Sequence, residues 1–495
     1  MDWREEYKKK TVSAEVAVKV VKSGDWVFIP IGQSLELLPL ALWARKDELK
    51  GVKILQGANP PSYPWYQPGY EDNILVIGDQ YSGPLFRPLQ WDRRGDFCPV
   101  GYALTFKGVD ESRPGAIEPD VTFVVVSPPN EHGFCSFGDS LFHKKDFVRK
   151  AKKVVAEVNS LLIRTYGDNF VHVSEIDCFV EATPYVPSQE ELDDVFAQFP
   201  PEYRADLEPS LKQMGTPPHV LWKFRAALPF ISQYPISYIK GILGMGDIPE
   251  YCYPIRDHLR ILIKDGDTIQ IGTGSTSNPT VRAGLFDGMR DLGLHSEVIP
   301  PGVIPLVKEG IFTGKYKTIH PGKVVTPSYW PATSYNRYDA EYINENPLFE
   351  LYSLSYCNNV RTISAHDNMV SIQNALFVDL NGQIGSETRP GFLLENGPGG
   401  TLDWVFGALN SKGGRSIFVL PSTAVGGGVS RIVPVIEEEV MVTVPRAYAD
   451  FIITEYGIAS LLGKSQRQRA EELIAIAHPD FRAGLKKEAQ RLFGL

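Results

Sequence analysis

The sequence lacks the features that mark a disulfide-rich, secreted or membrane-spanning protein. Its 495 residues include only five cysteines, which form no CxxC pair: Cys98, Cys135, Cys178, Cys252 and Cys357. This spacing indicates neither a disulfide framework nor a zinc site, and a reducing compartment is expected. No apolar run reaches the roughly 18 residues of a membrane span, and the N-terminus, MDWREEYKKKT, is charged where a signal peptide needs an apolar core. We therefore expect a cytoplasmic protein with no metal site.

An excess of positive charge is also missing. Acidic residues outnumber basic ones by 59 to 50, and the pI is about 5.6, so no global basic field exists to hold nucleic acid or an anionic membrane. Hydrophobic residues make up 43% of the chain and charged residues 22%, the balance of a soluble globular protein. At this length the chain is expected to form two or three domains, with two large ones favoured.

The chain contains an internal repeat. Residues 21–32 (VKSGDWVFIPIG) and 263–274 (IKDGDTIQIGTG) both place a Gly-Asp turn before a short alternating apolar run that ends in a glycine loop. A constant offset of 242 residues extends the match and puts Glu297 where the first copy has Leu55. The repeat predicts two tandem, related open α/β domains with mainly parallel sheets covered by helices. It also predicts that only one of the two copies carries a carboxylate at this strand end.

The boundary between the copies is predicted near residue 225. Residues 185–218 are rich in proline and acidic residues, which predicts a segment on the surface followed by a linker. The predicted domains are therefore 1–225 and 226–495. Near-continuous β-branched runs at 120–128, 152–159 and 415–423 are typical of strands covered on both faces.

Three glycine-containing loops in the second half could bring backbone N–H groups to a ligand. GTGSTSN (272–278) follows a predicted strand and could hold a phosphate where the next helix begins, with Asn278 as N-cap and Pro279 at the first helical position. It is neither a GxGxxG fingerprint nor a Walker A loop. The clusters at 396–400 and 426–428 are equally compatible with tight turns. A strand-end carboxylate, Glu297, together with two such loops is the equipment for nucleophilic acyl transfer.

Longer motifs in both halves resemble a known family. The sequence resembles the acetyl-CoA hydrolase/transferase group of class I CoA-transferases, which includes 4-hydroxybutyrate, butyryl and succinyl-CoA:acetate CoA-transferases. The resemblance covers nearly the whole chain and implies the CoA-transferase fold, of the NagB/RpiA-like kind, in each domain. The motifs that carry it are SPPNEHGFCSFGDS (127–140), AKKVVAEVN (151–159), RTYGDNFVHVSEIDCFVE (164–181), IGTGSTSNPTV (271–281), GLHSEVIPPGVIPL (293–306), NALFVDLNGQIGSE (374–387) and NGPGGTLDW (396–404).

The resemblance implies roles for individual residues. Glu297 matches the family's nucleophile, which passes through a mixed anhydride to a glutamyl-CoA thioester in a ping-pong reaction. The backbone amides of Thr280 and Gly400 match the oxyanion hole. It implies no tightly bound cofactor: coenzyme A or acyl-CoA is a substrate, the other partner is a small carboxylate, and a homodimer or homotetramer is expected. The positions that match CoA contacts are Gly274, Ser275, Thr276, Ser277, Asn278, Asn374, Asn396 and Gly400.

Some residues depart from the family pattern or compete with Glu297. Val425 stands where relatives carry a CoA-contacting lysine. Glu387 is a rival carboxylate, but it lacks the duplicated strand context. Tyr329, Trp330 and Tyr335 are expected to pack in the protein rather than to line a pocket. Asp403 is expected to be an acid in the first turn of a helix. His132 and His295 are expected to make structural hydrogen bonds.

Four functions remain open from the sequence. An acyl-CoA:carboxylate CoA-transferase leads, and an acyl-CoA hydrolase that uses the same Glu297 is the nearest alternative, because the difference depends on water exclusion. A sugar-phosphate or nucleotide-binding α/β protein could instead use GTGSTSN for phosphate and Glu297 as an isomerase base. The fourth is a catalytically silent binding subunit.

Overall fold

The computed structural model describes residues 2–57, 63–83, 86–182, 184–221, 236–242, 245–329 and 336–494. The chain divides into two compact units. The first consists of Met1–Val100, Leu104–Ile239 and Pro327–Ser355, and the second of Gly101–Ala103, Lys240–Thr326 and Tyr356–Leu495. The predicted boundary near residue 225 lies outside the described residues and stays a prediction. The membership of Gly101–Ala103 in the second unit, and of Pro327–Ser355 in the first, was not anticipated from the sequence.

The strands are short and follow one another along both units. Their bounds are β1 Trp26–Ile29, β2 Val52–Gln56, β3 Ile74–Asp79, β4 Asp96–Cys98, β5 Val121–Val126, β6 Phe134–Ser136, β7 Lys153–Val158, β8 Tyr166–Gly167, β9 Phe170–His172, β10 Cys178–Glu181, β11 Thr268–Ile271, β12 Gly293–His295, β13 Val324–Thr326, β14 Phe349–Leu351, β15 Met369–Asn374, β16 Phe377–Asp379, β17 Ile384–Gly385, β18 Thr388–Arg389, β19 Leu393–Leu394, β20 Arg415–Val419, β21 Thr423–Ala424, β22 Val429–Ser430, β23 Ile432–Val433, β24 Phe451–Thr454 and β25 Gly457–Ser460.

Helices alternate with these strands, as α/β connections require. Their bounds are α1 Trp3–Lys10, α2 Ala14–Ala17, α3 Leu37–Ala44, α4 Arg87–Trp91, α5 Lys107–Asp110, α6 Lys144–Lys150, α7 Gln189–Ala197, α8 Pro201–Gln213, α9 Ile236–Ile242, α10 Cys252–Leu262, α11 Ser277–Arg282, α12 Val303–Lys308, α13 Arg337–Ile343, α14 Leu354–Cys357, α15 Val360–Ser364, α16 Thr401–Asn410, α17 Gln466–Ile476 and α18 Pro479–Phe493.

Each unit has its own mainly parallel sheet. In the first unit the strand order is β10-β7-β5-β1-β2-β3-β4, and every neighbouring pair is parallel. In the second unit the order is β25-β24-β20-β15-β11-β12-β13, with only β25 antiparallel to its neighbour. Six strands of the first sheet therefore have counterparts in the same order in the second. This confirms the predicted α/β class and the mainly parallel sheets.

The central strands are apolar because helices cover both faces of the sheets. All six residues of β5 are buried, as the β-branched run at 120–128 predicted. The first unit's core gathers Val27, Phe123 and Val155 around α3, and the second unit's core gathers Phe418 and Ile452 around α17. Within the described parts of the chain, we find no helix with the length and apolar character needed to cross a membrane.

The pairing register corrects one detail of the repeat. Trp26 pairs with Lys53 in the first unit, and its counterpart Thr268 pairs with Gly293 in the second. The connection between the paired strands is thus two residues shorter in the second unit, so the structural counterpart of Glu297 is Gly57 rather than Leu55. A Cβ at Gly57 would overlap the side chain of Ile31. The first unit therefore has no room for a side chain where the second carries Glu297.

Candidate active site

Glu297 lies two residues beyond the end of a buried strand in the second unit. All three residues of β12 are buried. The next residue, Ser296, is also buried, and its hydroxyl accepts from the Ile271 N–H at 3.2 Å and donates to the Val298 carbonyl oxygen at 2.9 Å. Because the Ser296 hydroxyl is hydrogen-bonded both to the neighbouring strand and to Val298, the backbone at Glu297 is held and its side chain projects in one direction. The carboxyl edge of a parallel sheet is where α/β proteins place their ligands.

Two neutral donors hold one oxygen of the Glu297 carboxylate. Asn358 Nδ2 donates to Oε2 at 2.7 Å, and Trp404 Nε1 donates to the same oxygen at 3.2 Å. Within the described ranges, Oε1 makes no hydrogen bond and the carboxylate forms no ion pair. Burial raises the pKa of Glu297 to about 7, against the lowering effect of the two hydrogen bonds. A carboxylate of this basicity, with one oxygen free, is equipped to act as a nucleophile.

Gly400 lies directly against this carboxylate. It is the residue before the first turn of α16, with φ −94° and ψ 6°, so its N–H has no acceptor within the helix. A Cβ at this position would overlap Glu297 Oε2 and Asn358 Nδ2. The structure therefore brings together two of the predicted site residues, Glu297 and Gly400.

Thr280, the other predicted oxyanion donor, has its backbone N–H already engaged. It is buried in α11, where its N–H donates to the Thr276 carbonyl oxygen at 3.1 Å and its hydroxyl donates to the same oxygen at 2.7 Å. The structure does not turn this N–H toward Glu297. Its role stays a prediction, which requires this turn of helix to open.

The GTGSTSN loop is fastened by Asn374 at the end of β15. The Asn374 side chain accepts from the Ser277 N–H at 3.0 Å and donates to the Gly272 carbonyl oxygen at 3.0 Å. A Cβ on Gly274 would overlap the Asn374 amide, so the loop can pass only because this residue is glycine. Asn278 is buried and accepts from the Gly274 N–H at 3.3 Å instead of capping the helix, while Ser275 is exposed. Thr276 and Ser277 are buried.

Asn396 and Glu387 belong to a different hydrogen-bond network. Asn396 Nδ2 donates to the Ser386 carbonyl oxygen at 3.2 Å, and its N–H donates to the Glu387 carbonyl oxygen at 3.1 Å. Burial raises the pKa of Glu387, and a hydrogen bond with Thr443 lowers it in part. The structure therefore joins Asn396 to the rival carboxylate's loop, and no hydrogen bond in the described residues links either residue to Glu297.

Three further site residues come from the structure, and one of them had no signal in the sequence. Trp404 and Asp403 are part of the NGPGGTLDW motif, but no role was predicted for Trp404. Asp403 occupies the first turn of α16 as predicted, and it is buried; burial raises its pKa to about 7, and the charge of Glu297 adds to the rise. Asn358 lies between α14 and α15 in a stretch that no motif singled out.

The histidines do not act as the site's base. His295 is buried, and its Nε2 lies 3.0 Å from the Cys357 carbonyl oxygen, which supports the predicted structural role. Burial keeps the pKa of His295 well below its usual range, so the ring is neutral at physiological pH. His132 is exposed at a turn of the first unit.

The structure describes two of the residues that depart from the family pattern, Tyr329 and Val425. Tyr329 is fully buried in the first unit and packs edge-on against Phe349, with ring centroids 5.7 Å apart, which supports packing over a pocket role. Trp330 and Tyr335 lie outside the described residues. Val425 is 83% exposed at a hairpin tip between β21 and β22 and has a positive φ of 51°.

Comparisons with known proteins show the family of the chain. Residues 97–191 match the acetyl-CoA hydrolase/transferase N-terminal domain, and residues 338–489 match the C-terminal domain. The chain is 34% identical over its whole length to a 4-hydroxybutyrate coenzyme A transferase of Clostridium kluyveri, which is also covered completely. It is 32% identical over 99% of its length to a succinyl-CoA:cyclohexane-1-carboxylate CoA transferase of Geobacter metallireducens, covering 97% of that protein.

A solved structure shows the same fold. The crystal structure of a 4-hydroxybutyrate CoA-transferase from Porphyromonas gingivalis superposes with a TM-score of 0.68 at 30% identity, covering 99% of this chain and all of that one. Full-length identity above 30%, matches to both family domains and the same fold lead to one conclusion. The chain is an enzyme of the acetyl-CoA hydrolase/transferase family of class I CoA-transferases.

Proposed function

We propose that this enzyme is an acyl-CoA:carboxylate CoA-transferase that works through a covalent glutamyl-CoA thioester on Glu297. The observation that carries the proposal is the asymmetric environment of the Glu297 carboxylate. Two neutral donors hold Oε2, and Oε1 makes no hydrogen bond with the described residues. Because no cationic side chain among the described residues neutralises the group, it keeps the basicity that a carboxylate needs to attack a thioester.

The proposed reaction has two matched halves. Glu297 Oε1 attacks the acyl-CoA carbonyl carbon, the C–S bond breaks, and a mixed anhydride and CoA thiolate form. The thiolate then attacks the Glu297 carbonyl carbon and expels the acyl group as a carboxylate. A second carboxylate reverses both steps and leaves as a new acyl-CoA. Each exchange trades groups of similar energy, so no ATP is needed, and coenzyme A is a substrate rather than a resident cofactor.

Hydrogen-bond donors around Glu297 support both halves. Asn358 and Trp404 fix the rotation of the carboxylate, which keeps Oε1 in a defined direction and reduces the entropy lost in reaching the transition state. Each tetrahedral intermediate develops an oxyanion, and the Gly400 N–H, which has no acceptor within α16, is the backbone donor that we assign to that charge. Loss of one such donor typically costs about 2.7–4 kcal/mol in the transition state.

Intact-mass measurement after mixing with acyl-CoA tests the mechanism. Short-chain thioesters such as acetyl-CoA and butyryl-CoA are the probes, and borohydride distinguishes the thioester, because it breaks the C–S bond, releases CoA and leaves the Glu297 carbonyl carbon reduced to an alcohol. We expect a CoA-mass adduct on the wild type and none on Glu297→Gln. Retained turnover in Glu297→Gln, or no adduct with any thioester of the panel, would contradict the proposal and would reopen the isomerase and binding-subunit alternatives.

The same incubation separates transfer from hydrolysis. With acyl-CoA alone, a transferase stops at the covalent thioester, so it releases the carboxylate only in proportion to the enzyme present and no free CoA, and steady turnover begins when acetate is added. Steady CoA release without an acceptor would identify the hydrolase, which the family also contains. Products formed from a panel of carboxylates would then define the acyl group that the site accepts.

A further inference from the structure

The peptide group between Gly399 and Gly400 is hydrogen-bonded at one end. Its carbonyl oxygen, on Gly399, accepts from the Tyr102 N–H at 3.3 Å. Its N–H, on Gly400, donates to no atom of the described residues. In a planar trans peptide the C=O and N–H bonds point in opposite directions, so a donor that fixes the carbonyl oxygen also fixes the direction of the N–H. Tyr102 therefore sets the orientation of the donor that we assign to the oxyanion.

The two glycines make such a support necessary. Gly399 has a positive φ of 48°, and neither glycine carries a Cβ that would oppose rotation of the peptide group between them. Rotation would place the carbonyl oxygen where the N–H now lies. An oxyanion donor acts only when it is already aimed at the position where the charge develops, so the orientation of this peptide bears directly on the reaction.

Asp403 holds the segment Gly101–Ala103, which belongs to the second unit. Its buried carboxylate accepts from the Ala103 N–H at 3.2 Å through Oδ2. A Cβ on Gly101 would lie 3.6 Å from Asp403 Oδ1 and 4.0 Å from the Gly399 carbonyl oxygen, so the backbone of the segment runs close to both acceptors. The carboxylate and the carbonyl oxygen thus bind the N–H groups of two consecutive residues.

The position of Asp403 in α16 offers another partner, which it does not use. Gly400 is the N-cap of α16, and Asp403 is the third residue of the helix. In a capping box, the side chain at this position reaches back to the N-cap N–H. Here the carboxylate is engaged by the Ala103 N–H instead. The Gly400 N–H is left without that partner and can serve a substrate.

We propose that the Tyr102 N–H holds the Gly399–Gly400 peptide in the orientation that presents its N–H to the oxyanion. Asp403 is then a positioning residue that holds Tyr102 through the neighbouring Ala103 and does not touch the substrate. The proposal rests on the proposed function, in which this N–H stabilises the tetrahedral intermediates. The hydrogen bond to the carbonyl oxygen also polarises the peptide group and strengthens the N–H as a donor.

Two substitutions at Tyr102 isolate this hydrogen bond. Tyr102→Pro and Tyr102→Ala both lose the ring, but only proline lacks the N–H. Tyr102 is the first residue of a 3₁₀ turn and follows a glycine, a position at which proline fits the backbone. We expect kcat to be about tenfold or more lower in Tyr102→Pro than in Tyr102→Ala, with the KM for acyl-CoA equal within about twofold. An equal kcat in the two variants would overturn the proposal.

Asp403 provides a second matched pair. Asparagine keeps a side-chain oxygen that can accept from the Ala103 N–H, whereas alanine has none. We expect Asp403→Asn to keep the wild-type kcat within about threefold, and Asp403→Ala to lose about tenfold or more in kcat with an unchanged KM. If Asp403→Ala lowers the melting temperature and keeps its kcat, or if both variants lose kcat equally, the positioning role is wrong.

Hydrogen exchange of the wild type tests the segment without any substitution. The Tyr102 and Ala103 N–H groups should exchange at least about 100-fold more slowly than in an unfolded chain, because both are hydrogen-bonded. Exchange at the unfolded rate would overturn the proposal. If the wild type forms no CoA adduct, the proposed function fails and this proposal with it, whereas an adduct together with an equal kcat in the two Tyr102 variants overturns this proposal alone.

Discussion

Replacing Gly400 with alanine should slow catalysis strongly while leaving the fold intact. The backbone of Gly400 has φ −94° and ψ 6°, which alanine also adopts, so the backbone itself is not strained. The obstacle is space, because the new methyl group would overlap Glu297 Oε2 and Asn358 Nδ2. Both are side-chain ends that can move, so the variant is expected to fold with the carboxylate displaced.

The size of the effect follows from that displacement. To restore an ordinary contact of about 3.5 Å, the Glu297 carboxylate has to move by more than about 1 Å. A misplacement of this size can cost about 100-fold in rate, which corresponds to about 2.7 kcal/mol in the activation free energy. The loss in folding stability should be far smaller, since alanine at an N-cap costs about 1 kcal/mol or less relative to glycine.

Single-turnover formation of the CoA adduct is the assay, with thermal unfolding as the measure of the fold. Gly484→Ala is the matched control, because a Cβ at this helical glycine meets nothing within 4 Å. It should keep the wild-type rate. If Gly400→Ala forms the adduct at the wild-type rate with a normal melting temperature, the close approach of Gly400 to the nucleophile is unimportant and the reasoning is refuted.

Three further outcomes are expected. Asn358→Ala removes a donor that lowers the pKa of Glu297, so the acid limb of the rate profile should move to higher pH; an unchanged or lower midpoint would contradict this role of Asn358. Glu297→Gln should stabilise the fold at alkaline pH. Folding raises the pKa of Glu297 from 4.5 to about 7, so the wild type loses stability as pH rises through that window. In denaturant unfolding, the free energy of unfolding of the variant should exceed that of the wild type by near zero at pH 4 and by about 1–3 kcal/mol at pH 8. Gly274→Ala should raise the KM for acyl-CoA with a smaller change in kcat, because its Cβ displaces the Asn374 amide that fastens the loop; an unchanged KM would remove this loop from the CoA site.

The sequence contained enough information for the sheets and for the position of Glu297 beyond the end of a buried strand. Buried parallel strands are near-continuous apolar runs, so β5 and β20 could be predicted from composition alone. The repeat also predicted two related, mainly parallel sheets, and the matching strand orders of the two units agree with that prediction. The repeat gave the wrong alignment of the second strand, because a constant offset cannot reveal a two-residue deletion between two strands. The counterpart of Glu297 was therefore assigned to Leu55 instead of Gly57.

The rest of the site depends on tertiary packing. Asn358 sits between two short helices, 61 residues from Glu297 in the chain, and no periodicity shows that its amide points at a carboxylate. The engagement of the Thr280 N–H with Thr276 depends on α11 starting at Ser277, one residue before the predicted N-cap. Helix boundaries shift by a residue or two for small energetic reasons, so this detail was not accessible from the sequence.

The polar groups around Glu297 are present in only one of the two units. Near Glu297, the second unit holds a carboxylate without an ion pair, a buried Asp403, an unpartnered Asn358 Oδ1 and an unpartnered His295 Nδ1 among the described residues. Each of these lowers stability, and such features persist where the surrounding fold stabilises them and function requires them. The first unit has a glycine packed on Ile31 at the same point of the same strand order. It keeps the architecture without that local instability, which is the arrangement expected of a duplicated fold with one nucleophile.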